Sequence, residues 1–140
     1  MISTFPIFRV AGYTQTTSRE ATLASLNDLR QRWFTEPPAL KAFSPTVYAV
    51  LQYPDEHTVK ITFGKLVATN TELPENVSDT WIAPQVYELF ETDDVADTWA
   101  QIAANGSLNR RFLADLVVYP SVGAAKVYVG VVGEVEISEA

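Results

Sequence analysis

Cysteine is missing from the 140 residues, and histidine occurs once, as His57. Without thiols there is no disulfide framework and no thiolate nucleophile, and one histidine is too few for the nitrogen- and sulfur-rich sites that zinc prefers. His57 stands in Pro54-Asp55-Glu56-His57, which reads as a hairpin turn, so a Ser-His-Asp site would have to be built there. Positive charge is scarce: 10 Lys and Arg face 17 Asp and Glu, a formal net charge of -7. That balance argues against gripping nucleic acid through its phosphates and fits solubility or a cationic partner. No apolar run approaches the roughly 20 residues that span a bilayer. The start, MISTFPIFRV, has neither the basic lead nor the sustained apolar stretch of a leader peptide, so a cytoplasmic protein is expected. Glycines are scattered and form no phosphate-binding loop. No cofactor and no metal are expected.

What is present is β-strand and helix periodicity in a regular order. Residues 5–14 read as a strand, and Thr17-Ser18-Arg19-Glu20 has the T-x-x-E form of a capping box, predicting a helix from there to about Phe34. Leu23, Leu26, Leu29 and Trp33 give that helix one apolar face, and Pro37-Pro38 stops it. TVYAVLQYP and TVKITFGKLVAT read as a hairpin, and residues 70–79 as a loop. TWIAPQVYELFE is expected as one strand. Asp93-Asp94 then caps a second helix carrying Val95, Trp99 and Ile102, with Asn105-Gly106 as a left-handed stop. FLADLVVYP and AKVYVGVVGEVEI complete the pattern.

One constant offset of 66 residues lays the halves on each other: Trp33 on Trp99, Tyr53-Pro54 on Tyr119-Pro120, Lys60 on Lys126 and Gly64 on Gly130. The expectation is a single domain over residues 1–140 containing a duplicated strand-helix-strand-strand unit, about 5–69 and 81–137. Its class is α+β: one antiparallel-rich curved sheet, both helices packed against it, related by a pseudo-two-fold.

Four stretches carry a family resemblance: VAGYTQTT, VYAVLQYPDEHTVKITFGKLV, IAPQVYELFE, and DTWAQI with RRFLADLVVYPSVGAAKVYVGV. In order and spacing the chain resembles the GyrI-like effector-binding domain of bacterial AraC- and MerR-type regulators, which also occurs alone. The resemblance implies a cleft between the halves of the sheet that accepts small, apolar, often cationic molecules. It also implies a motif of the form D-F-E-x-Y, laid here on Asp115, Leu116, Val117, Val118 and Tyr119. Val117 stands where the cation-facing Glu of the family would be.

Strand alternation places Asp115, Val117 and Tyr119 on one face and Leu116 and Val118 on the other. Asp115 thus shares a face with the missing Glu and either serves as counter-ion in its stead or caps backbone amides or pairs with Arg110 or Arg111. Glu88, alternating with Phe90, is a second carboxylate in an apolar strand, suited to a desolvated cation. Tyr48, Trp81, Trp99 and Tyr128 complete the aromatic residues that the resemblance brings near the cleft, although Trp99, like Trp33, also fits a helix core position. The expected function is a stand-alone, non-enzymatic module binding an apolar cationic small molecule. A protein-interaction module acting on a regulator or on DNA gyrase is the alternative, and a weak hydrolase using a cleft carboxylate the third. Nucleic acid and membrane are not expected partners, and oligomeric state is open.

Overall fold

The runs VYAVLQ, ADLVVY and AKVYVGV are buried at consecutive positions, which requires the centre of the sheet to be covered on both sides. The computed structural model, which describes residues 2–4, 7–120 and 123–132, has that form. Its strands are β1 (Ile2–Thr4), β2 (Phe8–Ser18), β3 (Val47–Gln52), β4 (Thr58–Leu66), β5 (Ser78–Ile82), β6 (Val86–Thr92), β7 (Ala114–Tyr119) and β8 (Ala125–Val131), and its helices are α1 (Thr22–Thr35) and α2 (Val95–Ala104). The strands form one sheet in the order β1-β6-β8-β7-β3-β4-β2-β5, with every pairing antiparallel. The fold is α+β. Outward from the β3–β7 pair run β4 and β2 on one side and β8 and β6 on the other.

A three-residue link forces the sheet to curl. In a flat sheet β5 and β6 would lie about 29 Å apart, six inter-strand steps of about 4.8 Å. The chain from Ile82 to Val86 spans at most about 14 Å. The two flanks must therefore approach each other, and Ile82, Val10 and Tyr87 do share one buried cluster with Val50, Leu116, Val118 and Tyr128. This cluster fills the concave face.

The convex face holds the helices. Leu26, Leu29 and Trp33 of α1 and Trp99 and Ile102 of α2 pack with Tyr13, Phe63, Val117 and Val127. Trp33 stands edge-on to Tyr13 at 5.8 Å and tilted to Phe63 at 6.0 Å. Burying a leucine of this kind contributes about 1.5–3 kcal/mol.

Three local expectations are corrected. The capping box does not form. β2 runs on to Ser18, pairing Thr16, Thr17 and Ser18 with Lys60, Val59 and Thr58, and a 3-10 turn at Arg19–Ala21 precedes α1 with no side-chain cap. Thr17, which would have been the cap, is held instead in the ladder opposite Val59. TWIAPQVYELFE is two strands, because Ala83-Pro84-Gln85 carries the chain from one flank of the sheet to the other. Proline lacks the amide a continuous strand would need. The second helix ends at Asn105 with φ -85° and ψ 95°, an extended residue, not a left-handed one. Its side-chain oxygen accepts the Ser107 amide at 3.0 Å. The expected strand ends at residues 5–6 and 133–137 lie outside the described residues.

Candidate functional site

Both helices lie on one face of the sheet, and between α1 and the start of α2 a cleft of about 650 Å³ opens. Its floor is Val47 at the start of β3, Tyr119 and Pro120 at the end of β7, and Ala125 at the start of β8. Leu23, Leu26, Arg30 and Phe34 form one wall, a single stripe of α1 at three- and four-residue spacing. Asp93, Asp94 and Val95 form the other.

The charges on the two walls differ in how they are held. Asp94 is the N-cap of α2, accepting the Asp97 amide at 3.0 Å. Thr92 fastens the backbone of Asp94 through two hydrogen bonds of 2.9 Å. Asp93 is exposed on the rim, and no hydrogen bond or ion pair engages its carboxylate among the described residues. Across the cleft the Arg30 guanidinium stands 4.9 Å from the Tyr119 ring centre and 5.9 Å from that of Phe34. Burial pushes the Tyr119 hydroxyl above its ordinary pKa, and Arg30 pulls against that shift.

None of the eight residues singled out from the sequence lines this cleft. Asp115, Val117, Phe90, Glu88 and Trp99 belong to the helix-bearing side. Val117 is wholly buried and Trp99 nearly so, with Phe90 packed beside them in the core. Glu88 is half-buried on β6 between β1 and β8. Tyr48 and Tyr128 lie on the concave side, and Tyr128 meets Tyr87 edge-on at 6.1 Å. Trp81 is exposed on β5, where Arg9 stands 5.9 Å from its ring. Arg9 also bonds Asp79 at 2.6 Å and the Ala68 carbonyl at 2.7 Å, tying the 67–77 connection to β2.

The cation beside Asp115 is Arg110. Asp115 has no exposed surface. One carboxylate oxygen accepts Arg110 Nη2 at 2.8 Å and the Tyr53 hydroxyl, and the other accepts the Gly130 amide at 2.8 Å. Burial pushes this carboxyl above the usual range, opposed by Arg110, Tyr53 and Gly130. The guanidinium is caged by rings, 4.2 Å from Phe112, 5.4 Å from Trp99 and 5.8 Å from Tyr53. Phe112 reaches its place with φ 55°, a left-handed backbone that bulky residues seldom adopt. Of the residues marked from the sequence, Asp115 and Trp99 thus stand beside a cation, one supplied by the chain itself, while the Phe112 and Tyr53 rings around it were not marked.

Burial makes the tyrosines an alkaline liability. Tyr48, Tyr53, Tyr119 and Tyr128 are all raised above 10.0, and Tyr87 is raised to about 12, with burial the first cause in each. Between pH 10 and the folded values the unfolded chain holds fewer protons, so stability is complete below pH 10 and falls above it. Tyr53 and Tyr87 each add a slope of up to about 1.4 kcal/mol per pH unit. The urea midpoint is expected to be level from pH 8 to 9 and clearly lower at pH 11, with tyrosinate absorbance rising as the chain unfolds. A flat midpoint to pH 11 would contradict this.

Sequence reading missed Arg30, Phe34 and Asp93 as wall residues. The α1 stripe that ends on Phe34 was a usable signal. Asp93 was read only as part of a helix cap.

No protein-family model matches the chain, and no curated protein matches it. Solved structures do. An integron cassette protein from the mobile metagenome of Vibrio cholerae superposes with a TM-score of 0.73 at 18% identity, covering 94% of each chain. SAV2435 bound to tetraphenylphosphonium gives 0.69 at 8% identity, over 95% of this chain and 93% of that one. The C-terminal domain of EcmrR gives 0.51 at 11% identity, over 93% and 94%. These likenesses establish the fold. Among the described residues no helix is long and apolar enough to cross a membrane, and no group of three or more His, Cys, Asp or Glu side chains is placed to hold a metal ion.

Proposed function

We propose that the protein is a non-enzymatic small-molecule-binding domain that takes an apolar, positively charged compound in the cleft between α1 and α2, with Asp93 as counter-ion. The observation that carries this reading is the cleft itself. Its volume of about 650 Å³ lies within the usual range of ligand sites, roughly 300–1,000 Å³, and it joins an apolar floor to the Tyr119 ring and an uncommitted carboxylate. Binding energy comes mainly from apolar area, at about 25 cal/mol per Å², and the carboxylate and ring face add preference for a cation. The neighbour holding tetraphenylphosphonium, a lipophilic cation, supports the ligand class.

The test uses tetraphenylphosphonium and tetraphenylborate, matched in shape and opposite in charge. At a hundred times its Kd the cation is expected to stabilise the fold by about 2.7 kcal/mol, a midpoint shift of several degrees. Asp93→Asn is expected to weaken its binding about five-fold, while Glu88→Gln leaves binding unchanged. A larger shift with the borate than with the phosphonium, or none with either, overturns the reading.

A further inference from the structure

We infer that Arg30 is a built-in occupant of the cation seat in this cleft, so that a ligand binds by displacing its guanidinium from the Tyr119 ring. The inference rests on the function proposed above and explains the otherwise awkward presence of an arginine in a site for cations. A ring face attracts one cation at close range, and the guanidinium already stands 4.9 Å from the Tyr119 centre. Another positive group can take that place only when Arg30 leaves it.

Comparison with Arg110 shows why Arg30 is free to leave. Arg110 is largely buried, paired with Asp115 at 2.8 Å and enclosed by three rings. Arg30 is exposed on α1 and makes no hydrogen bond or ion pair among the described residues. Among the described residues, the Tyr119 and Phe34 rings alone hold it in place. One arginine is therefore structural, whereas the other can swing into water at the cost of two ring contacts.

The consequence is a threshold that selects ligand class. A small ammonium ion offers the ring no more than Arg30 does and must also surrender its own freedom on binding, so it is excluded. A large cation with diffuse charge replaces the ring contact and buries apolar area on Leu23, Leu26 and Val47 as well, so it wins the exchange. Arg30 thus discriminates for bulky lipophilic cations over small ones.

Calorimetric titration of the wild-type chain and of Arg30→Gln with tetraphenylphosphonium, tetramethylammonium and tetraphenylborate tests this. The expected result is about ten-fold tighter phosphonium binding in the variant and measurable tetramethylammonium binding where the wild type shows none. The gain should persist in 0.5 M salt, which screens exposed charges at a distance but not a group occupying the seat. In the wild type, phosphonium should also return the ring-shifted NMR signals of the Arg30 side chain to their solvent-exposed values. If the wild type binds phosphonium but Arg30→Gln binds it no better, or if the gain vanishes in salt, the displacement idea falls while the proposed function stands. If phosphonium fails with both proteins and tetraphenylborate binds only the wild type, both fall, and Arg30 is the ligand-pairing residue of an anion site. Binding of none of the three by either protein also sinks both.

Discussion

Replacing Asp115 by leucine is expected to cost about 3–5 kcal/mol of folding stability, measured by urea unfolding, because it leaves Arg110 charged, nearly buried and without its partner. The loss belongs to the pair and not to the aspartate alone. Arg110→Met made together with Asp115→Leu should therefore recover most of it, since two apolar groups in place of a buried ion pair are often neutral or stabilising. Tyr53→Phe removes one hydrogen bond to the carboxylate and should cost about 1 kcal/mol. If Asp115→Leu destabilises by less than 1 kcal/mol, or if the double variant is no better than the single one, Asp115 is not what holds this corner of β7 and β8 together. Trp99 fluorescence reports the same corner, since its ring faces the Arg110 guanidinium.

A second large effect is expected where β2 and β4 cross. Gly12 and Gly64 face each other in the ladder. A Cβ on Gly12 would lie 1.9 Å from the Phe63 carbonyl oxygen, and one on Gly64 would lie 1.8 Å from that of Ala11. The obstacles are backbone atoms, which cannot swing aside like a side chain. Alanine at either position is expected to cost about 4 kcal/mol or more, enough to leave a chain of ordinary stability largely unfolded. Gly106 is the control, with nothing within 4 Å of an added Cβ, and its alanine variant should stay within about 0.5 kcal/mol of wild type. Comparable losses at Gly106 and Gly64 would mean that close backbone approach is not the cause.

The sequence made the elements legible where a local rule had no tertiary competitor. Leu26, Leu29 and Trp33 repeat at helical spacing and are buried together on α1. Asp94 caps α2 as its position before Val95 implies. The Thr17–Glu20 box shows the opposite case, where nine residue pairs of the β2–β4 ladder outweigh one favourable cap. The break at Ala83-Pro84-Gln85 was visible as a proline. Its meaning was not, because a local pattern carries no information on which two flanks of a sheet the link must join.

For the site the division is sharper. Alternation alone determined that Asp115, Val117 and Tyr119 share a face opposite Leu116 and Val118, since side chains on a strand alternate whatever the strand pairs with. It also marked Asp115 as a carboxylate needing a partner, because an unpaired buried charge is too costly to keep. Only the tertiary structure decided that the partner is Arg110, that Tyr48 and Tyr128 point into the concave core, and that the open cleft falls to Arg30, Phe34, Asp93 and Tyr119. Those outcomes depend on how far a short link curls the sheet and on which helix turn then lies over which strand end. They are distances between residues far apart in the chain, and a residue pattern with periods of two or four carries none of them.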